Sequence, residues 1–317
     1  MISRRIIRTK VLQLFYAHVT SPEKTISQSE SELLLSIKKT YDLYHLLFAL
    51  LGEVRDYAEN KIEARKLKNL PTTEDLNPNT KFINNRLIIR IKNDECLCEY
   101  MKKNKLNWNN HGELIRNIYQ LTVDSDIYQQ YSNSNIDDFN TDRRFCEDFF
   151  STILVNCEPL QTELEEQNIY WNDDLDFVVS MVIKTIKKFK SEIDNNNYIM
   201  KLYKDEEDKE FTTKLFRKAI SNESQNRMII ETYTKNWDVD RVAVMDVLIM
   251  ELALTELTEF SSIPVKVTLN EYIELAKYYS TNRSSTFING VLDRITKDFK
   301  LEGKIVKTGR GLYEGRV

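Results

Sequence analysis

The chain has 317 residues, 41% hydrophobic and 30% charged, with a formal net charge of −4 and a pI near 5.7. That length can bury a sizeable core and allows one to three domains, while the mild acidity excludes a general attraction to nucleic acid, so any such binding must come from a local patch. The longest apolar runs, at 46–52 and 177–183, are far too short to span a bilayer.

With only 7 Gly and 5 Pro, few turns are specified, and long Leu/Ile/Lys/Glu-rich stretches argue for an all-α protein. Residues 4–19, "RRIIRTKVLQLFYAHV", place Ile7, Val11, Leu14 and Phe15 at helical spacing behind a basic start of Arg4, Arg5, Arg8 and Lys10. Cations at a helix N-terminus oppose the macrodipole, and an anionic partner would relieve that opposition. A polar segment (20–31) precedes a helix over about 32–66, with Leu33, Ile37, Tyr44, Leu47, Leu51 and Val54 on one side. Pro71 and Pro78 mark a loop (68–79), helical patterns resume over 82–131, and "SNSNIDDFNTD" (132–142) reads as a linker.

An internal echo follows. Offset by 66 residues, 150–179 lies over 216–245, matching Phe150 with Phe216, Asn156 with Asn222, Trp171 with Trp237 and Asp174 with Asp240. Each copy reads as helix, short break, helix and then a third apolar helix, and a partial duplication of a helical unit is expected. Residues 239–257 are apolar almost all round, the pattern of a buried central helix. After Pro264 comes a helix over about 268–279, with Thr268 and Glu271 spaced as a capping box. The last helix has Ser284 or Ser285 as its N-cap and carries Gly290. A glycine inside a helix costs about 1 kcal/mol relative to alanine, so Gly290 is expected to let two helices approach closely. The glycine-rich tail with Lys304, Lys307, Arg310 and Arg316 reads as flexible and basic.

The four cysteines (Cys96, Cys98, Cys146, Cys157) are too few and irregular for a disulfide scaffold, and a single C-x-C pair is a poor zinc site. Reduced thiols, and no signal-peptide core behind the basic N-terminus, fit a cytoplasmic protein. No metal and no cofactor is expected.

The motif "SIPVKVTLNEYIELAKYYSTNRSSTFINGVLDRI" (262–295) resembles the C-terminal signature of the NusB family of transcription antitermination factors, in which an N-E-x-[IV]-E-L-A-K helix precedes an F-[IV]-N-G-V-L-D helix. Residues 236–257 resemble that family's central helix, except that Glu251 stands where an arginine is common, and "RRIIRTKVLQLFYAH" resembles its opening. The resemblance covers about 1–19 and 210–298. It implies a NusB-like pair of helical bundles with a large inserted helical region. The expected segments are a basic helix (1–19), an insertion (20–144), a part-duplicated segment (145–205), the C-terminal core (206–299) and the tail (300–317).

The resemblance further implies a non-catalytic protein that binds boxA-type single-stranded RNA together with the ribosomal small-subunit protein NusE. Its expected setting is the transcription elongation complex, notably on ribosomal RNA operons, away from any membrane. Arg4, Arg5, Arg8 and Lys10 suit phosphates, and Gln13 and Tyr16 offer an amide and a flat ring to unpaired bases. Arg283, Ser284, Thr286, Phe287 and Asn289, at the start of the last helix, complete the expected RNA face. Asp246 and Glu256 fall where acidic residues are usual in the family and are expected to bind the protein partner. Two alternatives are a helical scaffold that has lost RNA binding and a module related to RNA cytosine methyltransferases. The chain has no G-x-G-x-x-G cofactor loop and no Pro-Cys nucleophile, which argues against an enzyme.

Overall fold

The computed structural model describes residues 1–21, 23–191, 197–234, 243–281 and 283–313. These residues are all-α, without a β-strand. The helices are α1 (Arg4–Val19), α2 (Ile26–Lys66), α3 (Thr73–Leu76), α4 (Arg86–Lys92), α5 (Glu95–Asn104), α6 (Gly112–Asp124), α7 (Asp126–Asn133), α8 (Phe139–Asp148), α9 (Glu158–Gln167), α10 (Leu175–Ile186), α11 (Glu206–Ser221), α12 (Glu223–Thr234), α13 (Val244–Glu259), α14 (Val265–Tyr279) and α15 (Ser284–Leu301).

They divide into two compact units. One consists of Met1 with 38–202, the other of 2–37 with 203–317. The expected boundaries differ from this division. Residues 20–37 belong with the basic helix, and 38–202 form one body across the expected break near 144. The first difference arises because the start of α2 is tied to that unit, His18 Nδ1 lying 2.8 Å from Ser29 Oγ and Arg217 Nε donating to Glu30 Oε2 at 2.6 Å. Thr25 and Gln28 cap α2 reciprocally, Thr25 N–H donating to Gln28 Oε1 at 2.9 Å and Gln28 N–H to Thr25 Oγ1 at 3.3 Å. The polar stretch therefore already runs as helix.

In the 38–202 unit, α2 supplies the spine, with Leu43, Tyr44 and Leu46–Leu51 buried nearly without interruption. Trp108 and Trp171 donate their indole N–H groups to the α2 carbonyls of Leu46 (2.9 Å) and Lys39 (2.7 Å), so each large ring is buried with its polar atom satisfied. The segment expected as a linker shrinks to 134–138, because Asp138 caps α8 by accepting from Thr141 N–H at 2.7 Å.

The two echoed stretches share a helix order. α8 continues as a π-helical turn at Phe149–Leu154 before α9 and α10, as α11 precedes α12 and α13. Phe150 and Phe216 are both fully buried. Trp237 and Asp240 lie outside the described residues.

The other unit is built around α13. From Leu248 to Leu257 every residue is buried, as expected for a helix apolar all round. α1, α11, α12, α14 and α15 all pack on it. The tail is not flexible through Tyr313. Gly303, at φ +68°, ends α15 and turns the chain back, and Ile305 is buried. Lys307 then donates to the carbonyls of Leu257 and Phe260, both at 2.9 Å, capping the C-terminal end of α13. Thr308 N–H donates to Ser261 O at 3.0 Å. Arg316 lies outside the described residues.

The glycine that permits a close approach is Gly311, not Gly290. A Cβ on Gly311 would sit 2.0 Å from the Ser261 carbonyl oxygen, whereas a Cβ on Gly290 would meet nothing within 4 Å. Gly290 faces solvent, so the packing role expected of it is overturned. Helical spacing placed Gly290 beside an apolar stripe but did not say which side faced a neighbour.

Candidate nucleic-acid interface

α1 is amphipathic, and its register decides which cations reach solvent. Ile7, Val11 and Phe15 point into the bundle, and Arg8 and Lys10, flanking them, are carried inward too. The outward stripe is Arg5, Thr9, Gln13, Tyr16 and Thr20, spaced as one face of a helix. Of these, Arg5 and Tyr16 are exposed and Gln13 is half-buried.

The arginines that open α1 face carboxylates. Arg8 Nε and Nη2 donate to Glu256 Oε2 and Oε1, both at 2.7 Å, with side-chain exposures of 3% and 0%. Thr268 Oγ1 (2.8 Å) and Tyr272 O–H (3.2 Å) also donate to Glu256. Burial works against the Arg8 charge, but the attraction of Glu256 outweighs it and holds the guanidinium above its ordinary value. Arg4 is tied to Asp208 and Glu207, each at 2.8 Å. Arg5 bonds Glu271 at 2.9 and 3.1 Å but is 60% exposed. Exposed pairs contribute about 0–1 kcal/mol and are screened by salt, so an incoming phosphate can displace Glu271 from Arg5. It cannot reach Arg8.

Five residues expected in the site are internal in this geometry. Arg8 and Lys10 are buried and do not form an RNA surface. Glu256 is internal, so it binds Arg8 and not a partner protein. Asp246, 5% exposed, accepts from the hydroxyls of Ser280 and Ser284 (2.8 Å to the latter), so it too is structural. Ser284 is itself buried and serves that bond; Arg283, not a serine, occupies the N-cap position of α15.

Thr268 and Glu271 likewise form no capping box. α14 starts at Val265 behind Pro264, which leaves Thr268 free to bond Glu256 and Glu271 to bond Arg5.

At the start of α15, Arg283, Thr286 and Asn289 are exposed and Phe287 is half-buried. Arg283 has no carboxylate within 4.0 Å among the described residues. The route from α1 to this turn is indirect. Gln13 Nε2 donates to the Tyr279 hydroxyl oxygen at 3.1 Å, and the Oγ of the neighbouring Ser280 lies 3.0 Å from Ser284 Oγ.

Arg310 is a residue that sequence reasoning placed only in a flexible tail. The ordered tail brings it to an open groove of about 670 Å³ lined by Arg4, Arg5, Pro264 and Glu271, where it pairs with Glu207 at 3.0 Å. The one signal for it was the glycine flanking it on either side. Glu251, at the family's arginine position, is buried and accepts from Arg227 of α12 at 3.0 Å. Among the described residues no group of three or more His, Cys, Asp or Glu side chains could hold a metal, and no helix is long and apolar enough to cross a membrane.

Comparison with known proteins places these features in context. Residues 177–297 match the NusB family. The transcription antitermination protein NusB of Salinibacter ruber is 42% identical over 111 residues, which are 35% of this chain and 69% of that protein. NusB of Natranaerobius thermophilus is 34% identical over 106 residues, 33% of this chain and 68% of that protein. NusB of Chloroherpeton thalassium is 38% identical over 106 residues, and there the match spans half of the relative's length. A solved structure of T. maritima NusB covers 44% of this chain and 86% of its own, at 29% identity and a TM-score of 0.29.

Proposed function

The chain belongs to the NusB family, and from that premise we propose that it is a transcription antitermination factor that binds boxA-type single-stranded RNA together with the ribosomal protein NusE. The reading assigns it no catalysis and places it with the elongation complex on ribosomal RNA operons, in the cytoplasm. The observation that carries the RNA part is the outward face of α1. It presents Arg5 and Tyr16 to solvent, with Gln13 bonded to Tyr279 at the end of α14, and at the start of α15 Arg283, Thr286 and Asn289 are exposed. A guanidinium, an amide and an exposed ring are the groups that hold an unpaired, phosphate-linked base.

The test is a shift assay with boxA-type RNA on the full chain. Arg5→Ala with Arg283→Ala is expected to weaken binding severalfold and lower its salt dependence, with helicity and melting midpoint unchanged. Equal affinity in the double variant would remove the RNA face from these residues. Co-purification of NusE from extract checks the protein partner.

A second reading has its own support. Arg4, Arg5 and Arg8 are each matched by carboxylates within the fold, as expected of a helical scaffold that no longer binds RNA. No salt-dependent shift at all would favour it.

A further inference from the structure

The arginines of α1 are engaged within the fold, whereas elsewhere cations stand free. In the 38–202 unit, Lys61 and Arg65 lie one turn apart on α2, and Arg116 lies on α6. Among the described residues none of the three has a carboxylate within 4.0 Å. Arg116 lines an open groove of about 780 Å³ together with Tyr57, Gly112, Glu113, Asn117 and Gln120, and Lys61 and Arg65 follow Tyr57 along α2 at one-turn intervals, near enough to Arg116 for Lys61 to be repelled by it. Lys61 Nζ sits 4.6 Å from the centre of the Tyr119 ring, which packs against the Tyr57 ring at 5.2 Å.

The groove also begins at a helix start. His111, at the N-cap of α6, makes no side-chain cap bond, so the first N–H groups of α6 near Gly112 and Glu113 lack a side-chain acceptor. A Cβ on Gly112 would meet nothing within 4 Å, so that end is open. Arg65, Arg116 and Gln120 are exposed, and Tyr57 and Asn117 are half-buried. Three carboxylates oppose the cations. Glu113 lines the groove, Asp124 accepts from Gln120 at 2.9 Å, and Glu163 lies 3.2 Å from His111. Burial, then repulsion from Arg65 and Arg116, holds Lys61 below its ordinary value. A bound anion would relieve that repulsion.

We infer that this groove is a second binding site, on the inserted unit, for the phosphodiester backbone of single-stranded RNA. Lys61, Arg65 and Arg116 contact phosphates, the uncapped start of α6 adds N–H donors, and Tyr57 with the Asn117 and Gln120 amides meets the bases. The ring and the two amides favour RNA over an acidic protein segment, which would need the cations alone. The site would add length-dependent, sequence-tolerant affinity.

The inference stands apart from the RNA face on α1 and α15, and its test keeps them separate. The full chain carrying K61Q, R65Q and R116Q is titrated with a long unstructured RNA and with heparin across a salt series. The expected result is about tenfold weaker RNA binding at low salt, and a slope of log affinity against log salt that is shallower by about 2, at ~0.7 per phosphate contact. Photo-crosslinks from thiouridine-substituted RNA are expected in peptides 57–65 and 112–120 of the unaltered chain. Lys61 is half-buried, so R65Q with R116Q, both at exposed positions, is run beside the triple variant, and weaker binding in that pair at an unchanged melting midpoint cannot be assigned to unfolding. Unchanged affinity and slope in the triple variant would overturn the inference, whether or not Arg5→Ala with Arg283→Ala weakens binding. So would loss of heparin binding with RNA binding intact. If the triple variant loses RNA while the Arg5 and Arg283 variant does not, this site holds and the face on α1 fails.

Discussion

Arg8 and Glu256 form a two-bond ion pair, 2.7 Å at each contact, inside the bundle and 248 residues apart in sequence. Removing one partner from such a pair leaves an uncompensated buried charge, which costs about 3–5 kcal/mol. Arg8→Ala is therefore expected to unfold the 2–37/203–317 unit well below the parent's denaturant midpoint. The joint change Arg8→Met with Glu256→Leu should recover most of that loss. Chemical denaturation followed by circular dichroism decides it; a mild single variant would mean that Arg8 is solvated in solution.

Gly290 and Gly311 predict opposite outcomes for the same substitution. Gly290→Ala adds a methyl group to open space on an exposed helix and should stabilise by up to about 1 kcal/mol. Gly311→Ala drives a methyl group into the Ser261 carbonyl and should cost about 1–3 kcal/mol, or release the tail from the α13–α14 connection. Paired thermal melts, with proteolysis of the tail as a second readout, check both signs.

Glu251 makes this unit sensitive to alkali. Burial lifts its carboxyl to about 7, against the lowering effect of Arg227, and Oε2 has no partner. The folded state thus holds a proton that the unfolded chain releases near 4.5. That contribution to stability is fully present below about 4.5 and is lost as the pH rises through about 7. Glu251→Gln should flatten the fall in melting temperature between pH 5 and about 8. An unaltered pH profile would show that the carboxylate is ionised throughout.

His45 works in the other direction, in the other unit. Burial lowers it to about 4, while its Nδ1 lies 2.8 Å from Tyr41 O and its ring stacks on Tyr100 at 3.7 Å. The unfolded chain takes up a proton near 6.5 and the folded one does not, so stability falls as the pH drops from about 6.5 to about 4. His45→Phe should remove that acid sensitivity, read from melting curves across the range.

Much of the fold was legible in the sequence because helical periodicity and capping are local. The buried run of α13, the basic amphipathic α1 and the final pair α14 and α15 follow from spacing along the chain, and the signature at 262–295 was enough to suggest the family. What only the tertiary structure decided is which charges remain for a partner. Arg5 and Arg8 look alike in sequence, and so do Thr268 as cap or as ligand of Glu256, and Gly290 and Gly311 as packing glycines. Their fates depend on Glu271, Glu256 and Ser261, brought together from distant positions by the packing of α1, α13, α14 and the tail. Local pattern can specify a face of a helix, but only the neighbour that covers that face determines whether a charge is buried and paired or left free in water.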